Sequence, residues 1–196
     1  MAISEEDVRP RAGRPRDPAC DAAILQATLE VFTQHGYGGV SMEGVAARAG
    51  VGKATIYRRY ATKAQLVVEA VRCGVQMDDH LPDTGDLRAD LITMMEPLLR
   101  RLRGGDGQLL TTFAAERLRN PDLAEEFDRS VIGKKREHLR QLVTAAVDRG
   151  DLAGDVDVDL IAEAAPAFLW HHALYGLPMA DDLLDRILDL VLPPGS

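Results

Sequence analysis

The sequence predicts an all-α protein of about nine helices, and three observations carry that reading. Apolar residues recur at three- and four-residue intervals, the period of one face of a helix. No convincing run alternates apolar and polar residues, as a half-buried strand would. Glycine and proline fall mainly between the periodic segments, where turns belong. With 196 residues and 46% hydrophobic content, the chain can build a real core, as one domain or as a small domain joined to a larger one.

Residues 1–16 are polar and rich in Pro and Arg, and read as a disordered basic arm. A first helix runs from Asp17 to His35, with Pro18 in its first turn and Ile24, Thr28, Val31 and Phe32 at helical spacing. Gly36 ends it, and "GYGG" is a turn. Ser41 is a suitable N-cap for a second helix, "MEGVAARA". Gly50 breaks that helix, "GKATIYRRY" forms a third and "ATKAQLVVEAVRCGV" a fourth. Further helices follow over Leu87–Arg103, with Pro97 as a kink, then Gln108–Arg119, Leu123–Arg149 after "NPD", Val158–Tyr175 and Ala180–Leu192.

Charge divides the chain. Residues 1–63 hold nine basic and seven acidic residues, whereas the remainder holds 14 basic and 24 acidic ones. A basic head on an acidic body points to a polyanionic partner for the head alone. Cys20 and Cys73 have no metal spacing and are too few for a disulfide framework. The N-terminus has no apolar run of a signal peptide, and no stretch of about 20 apolar residues suits a membrane span. The expectation is a cytoplasmic protein without a membrane partner.

The basic residues concentrate in "GVGKATIYRRYATKAQL". Val45, Ala46 and Ala49 share one side of the second helix, and Ile56 and Tyr60 share a face of the third. Gly50 between them can take the left-handed conformation that a tight turn needs, and Ala46 is small enough for close helix approach. This is helix-turn-helix spacing. With Ile56 and Tyr60 inward, Arg58 points outward, flanked by Ala54 and Tyr57, with Lys53 in the first turn. Such a face fits a major groove. Lys53 and Arg58 suit guanine edges, Ala54 and Thr55 a thymine methyl, and Tyr57 and Lys63 phosphates. Two rivals are a merely solvated basic helix and a nucleotide-binding loop at "GVGKAT". The second needs Gly where Ala47 stands and Ser or Thr where Ala54 stands. In the arm, Arg14 and Arg16 flank a proline and suit a narrow minor groove; the rival is a solubilising tail.

From Ala22 to Val71, "FTQHGYGGVS" and "SMEGVAARAGVGKATIYRRYATKAQLVVEA" resemble the DNA-binding head of TetR-family transcriptional repressors. The resemblance implies a helix-turn-helix domain over 17–62 and a C-terminal effector-binding and dimerisation domain over 63–196. It implies a homodimer, and it places Ser41, Lys53, Thr55, Tyr57, Arg58 and Lys63 at DNA-contacting positions and Tyr60 at an inward aromatic one. The body resembles one subgroup through "LPDTGDLRADL" and "GLPMADDLLDRILDLVL", although "PAFLWHHALYG" stands where that subgroup has a Gly-Pro and paired aromatics.

No catalytic arrangement is recognisable in the body. His171 and His172 are adjacent and therefore diverge on a helix, which argues against a metal pair. No cofactor is expected. The candidate ligand-binding set is Met94, Leu98, Phe113, Glu116, Arg117, Phe127, Phe168, Trp170, His171 and Tyr175; its aromatics also suit ordinary core packing. Leu183, Leu184, Ile187, Leu188 and Val191 suggest a dimer surface on the last two helices. The expected function is a dimeric repressor of a double-stranded DNA operator, released by a small apolar or aromatic effector. The alternatives are a helical enzyme without specific DNA binding and a ligand-independent DNA-binding protein.

Overall fold

The computed structural model describes residues 18–192, so the arm with Arg14 and Arg16 lies outside the described residues. Every regular element among them is helical: α1 (Pro18–Gly39), α2 (Met42–Arg48), α3 (Lys53–Arg59), α4 (Lys63–Gly74), α5 (Leu87–Arg103), α6 (Gly107–Arg119), α7 (Pro121–Phe127), α8 (Gly133–Arg149), α9 (Val158–Tyr175) and α10 (Leu183–Val191).

The starts of the helices follow from their caps. Ser41 accepts the backbone N–H of Gly44 at 3.1 Å, Thr62 that of Gln65 at 3.0 Å, Asp86 that of Ala89 at 3.0 Å and Asp157 that of Leu160 at 3.0 Å. Each satisfies one of the N–H groups that a helix start leaves unpaired. The ends of α8 and α9 fall at Gly150 and Gly176, both left-handed.

Three boundaries differ from the predicted ones, each for a local reason. The first helix does break at Gly36 (φ 66, ψ −172), but a further helical turn carries α1 on to Gly39. The predicted helix over 123–149 is α7 and α8 joined by a π turn, Asp128–Ile132, without a break in direction. A Cβ at position 133 would lie 2.9 Å from the Asp128 carbonyl oxygen, so the glycine there permits the wider turn. The last helix starts at Leu183 instead of Ala180, because a turn closed by Leu183 N–H on the Ala180 carbonyl precedes it, and Arg103 of α5 holds that turn by donating to the Ala180 carbonyl and the Asp181 carboxylate.

Two hydrophobic clusters organise the molecule. One gathers Ile24, Phe32, Val45, Ala46, Ile56 and Tyr60 of the head with Leu66, Val67 and Val71 of α4. Thus α4, which the sequence assigns to the second domain, buries its apolar face in the head. The other cluster joins α5, α8, α9 and α10. It contains Leu183, Leu184, Ile187 and Leu188, with Val191 packed against it, so these residues face the chain's own core and not a partner. That removes these five residues from the expected dimer surface on the last two helices: an amphipathic helix seeks an apolar neighbour, and only packing decides whether that neighbour lies in the same chain.

Candidate DNA-reading head and effector cavity

The turn between α2 and α3 is built as its residues require. Gly50 takes φ +67, and Val51 N–H bonds back to the Ala46 carbonyl at 2.9 Å. Val45, Ala46, Ile56 and Tyr60 are buried, while Lys53, Ala54, Tyr57 and Arg58 are exposed and Thr55 is half-buried. Burial of the two inward residues therefore orients the outward four. Arg58 makes no hydrogen bond or ion pair among the described residues, whereas Arg59 next to it is tied to Asp21 of α1. Adjacent arginines thus take opposite tasks, one anchoring the head and one facing solvent.

Three predicted contact residues have partners within the chain. Ser41 is occupied as the cap of α2. The Tyr57 hydroxyl donates to Glu43 at 2.9 Å; this bond holds the Glu43 carboxyl below its usual range, and Glu43 raises the phenol of Tyr57. Lys63 donates to the Tyr37 carbonyl at 3.1 Å and stacks 3.9 Å from the centre of the Tyr37 ring, so it braces the end of α1. The sequence carries no signal for that brace, since residues 37 and 63 are brought together only by helix packing.

The body encloses a cavity of about 660 Å³. Of the predicted ligand set, Met94, Leu98, Phe113, Arg117, Phe127 and Trp170 line it. Glu116 does not; its carboxylate accepts from Tyr37 N–H at 3.3 Å and from the Asn120 side chain at 3.2 Å. Phe168, His171 and Tyr175 are exposed on another face of α9, where the rings of His171 and Tyr175 lie 4.8 Å apart. The period of α9 explains the correction: Trp170 and Leu174, four residues apart, turn toward the cavity, whereas these three share a stripe with Leu160, at successive spacings of eight, three and four residues.

Sequence reasoning also missed Arg101, Lys135 and Arg136, which line the cavity. They read as solvated helix charges because nothing local marks the wall they meet. Pro97 of α5 and Pro166 of α9 line it as well, together with Thr93 and Ala162 four residues before them. A mid-helix proline lacks the N–H that would bond that earlier carbonyl. The cavity reaches the head through aromatic contact: Phe113 lies 4.9 Å from Phe127 and 6.2 Å from Phe32 of α1, centre to centre. Among the described residues, no group of three or more His, Cys, Asp and Glu is placed to hold a metal, and no helix is long and apolar enough to cross a membrane.

Known proteins resemble the chain in both sequence and fold. Residues 24–70 match the family described as bacterial regulatory proteins, tetR family, and residues 81–191 match the tetracyclin repressor-like C-terminal domain. The chain is 36% identical over 182 residues to a DNA-binding transcriptional repressor TetR of Mycobacteroides abscessus, covering 87% of this chain and 90% of that one. It is 29% identical over 189 residues to an uncharacterized HTH-type transcriptional regulator of Mycobacterium tuberculosis, covering 94% and 93%. In fold it is similar to the transcriptional regulator FadR of Bacillus subtilis, solved in complex with stearoyl-CoA, at a TM-score of 0.67 and 19% identity over 89% of this chain and 98% of that one.

Proposed function

The chain belongs to the TetR family of bacterial regulatory proteins, and from that premise we propose a homodimeric repressor that reads its operator with α3 and is released by a small molecule in the body cavity. The observation that carries the DNA reading is the outward group Lys53, Ala54, Tyr57 and Arg58 on a helix whose Ile56 and Tyr60 are buried. Lys53 and Arg58 reach base edges, and Thr55 and Ala54 flank a thymine methyl. Ser41, Tyr57 and Lys63 hold the backbone, with Lys63 exchanging its Tyr37 contact for a phosphate. Arg14 and Arg16 of the arm add minor-groove contacts. Such a protein works where the chromosome lies, in the cytoplasm.

The α9 stripe supports the dimer. Leu160 and Tyr175 are each more than half exposed, and Phe168 belongs to the same stripe. Two copies of α9 and α10 paired about a two-fold axis would bury it. The dimer sets two heads about one helical turn of DNA apart, roughly 34–36 Å. An effector that favours a different spacing lowers operator affinity, with a coupling of about 1–3 kcal/mol. The route runs from the cavity through Phe113 to Phe32, and through the end of α4.

The test is to select operator fragments from random DNA with the full chain, then measure affinity against salt. Sequence-selective, salt-dependent binding that weakens when residues 1–16 are deleted supports the reading. Equal affinity for selected and unselected DNA rejects it in favour of an enzyme or another helical protein.

A further inference from the structure

Resting on the reading of the cavity as an effector site, we propose that its effector is an amphipathic anion. The apolar body lies against Met94, Phe113 and Trp170, and a carboxylate or similar anionic head is held by Arg101 and Lys135.

The charge of the lining is the first support. The chain beyond residue 63 is strongly acidic, with 14 basic and 24 acidic residues. The cavity wall reverses that balance, with Arg100, Arg101, Arg117, Lys135 and Arg136 against Asp78, Glu96 and Glu163. Two of the five cations are already neutralised, Arg117 by Asp128 at 3.0 Å and Arg136 by Glu163 at 3.4 Å. Arg100, Arg101 and Lys135 have no ion pair among the described residues.

How Arg101 and Lys135 use their donors is the second support. Arg101 Nε donates to the Val75 carbonyl at 2.7 Å and its Nη2 to the Gln76 carbonyl at 2.6 Å. Lys135 Nζ donates to the Asp78 carbonyl at 3.0 Å. A neutral carbonyl is a weaker acceptor for a cation than an anion is. Burial, and then the neighbouring charge of Arg101, hold the Lys135 ammonium below the usual lysine range; burial and then Arg100 lower the Arg101 guanidinium. Both cations therefore sit where an arriving anion is favoured.

The accepted carbonyls also connect binding to release. They belong to the segment that leaves α4, where Gln76 has φ 47, a left-handed conformation unusual for a side-chain-bearing residue. Three hydrogen bonds from the cavity wall clamp that segment. An anionic head that takes over these donors unclamps the end of α4, the helix whose apolar face lies in the head's core. The anion and the carbonyls that leave α4 thus compete for one set of donors.

Six probes test this: dodecyl and 2-naphthyl bodies, each as carboxylate, alcohol or ammonium, kept below micelle-forming concentrations. Trp170 fluorescence reads binding, and operator release reads coupling. The expected result is that a carboxylate binds about tenfold or more tighter than its matched alcohol, with the ammonium weakest. Lys135→Met and Arg101→Gln remove that preference and leave alcohol binding within about twofold, whereas Lys135→Arg retains it. If the alcohols bind as well as the carboxylates and still release operator, the anionic head is rejected and the effector cavity stands. If no probe of any charge changes Trp170 fluorescence or operator binding, both readings are overturned. Melting curves of each variant separate loss of the head contact from loss of fold.

Discussion

At the residue scale, the exposed cations of α3 and the buried phenols of the head behave differently. Lys53 and Arg58 are exposed, so Lys53→Ala and Arg58→Ala are expected to cost about 1–3 kcal/mol each in operator binding and to leave the melting temperature close to that of wild type. Gel-shift titration beside thermal unfolding checks both. Lys63→Ala is expected to lower the salt slope by about one, and it should also destabilise the head, because Lys63 braces Tyr37. A wild-type slope would make Lys63 a strut alone. The Tyr37 phenol is raised well above the usual tyrosine range by burial and by Asp122, to which it donates; burial also pushes Tyr60 up to about 12. In each case the unfolded chain loses its proton near pH 10 while the folded chain keeps it, so stability is full below that pH and falls as pH rises. Tyr37→Phe is expected to flatten this alkaline decline, read as urea midpoints across that range.

At the element scale, the break in α1 is the sensitive joint. Gly36 has φ 66, and an added Cβ would lie 2.9 Å from a Glu116 carboxylate oxygen. Gly36→Ala therefore meets both backbone strain and the loss of the bond from Tyr37 N–H to Glu116. A destabilisation of about 1–3 kcal/mol from the backbone alone is expected, measured by urea unfolding. The period of α9 separates two tasks on one helix: Trp170 faces the cavity, and Tyr175 faces outward. Trp170→Leu is expected to change the effector response more than ligand-free operator affinity. A response equal to wild type would remove Trp170 from the site.

At the scale of the whole molecule, the exposed stripe of α9 leads to the quaternary prediction. Tyr175→Arg puts a charge into the surface where two copies are proposed to meet, and burying an unpaired charge is costly. The expected outcome is a shift toward monomer in sedimentation, with helical content kept and operator affinity lost because two half-sites are no longer bound together. A variant that remains dimeric places the interface elsewhere. The head–body contact through Phe32, Phe113 and Phe127 belongs to this scale too, since it joins elements far apart in the chain.

The sequence by itself determined the helical class, most helix positions, the turn at Gly50 and the outward face of α3. These depend on local causes: capping oxygens, a residue free to take positive φ, and apolar spacing that matches the helical period. Only the tertiary structure decided which apolar face meets which neighbour. It turned Leu184 and Leu188 of α10 inward, turned Phe168, His171 and Tyr175 of α9 outward, and gave Glu116 to the α1 joint instead of the cavity. It also placed Arg101 and Lys135 on the cavity wall, against the end of α4. Periodicity establishes that a helix has an apolar side, but long-range packing chooses what that side touches, and a charge looks solvated until another helix closes over it.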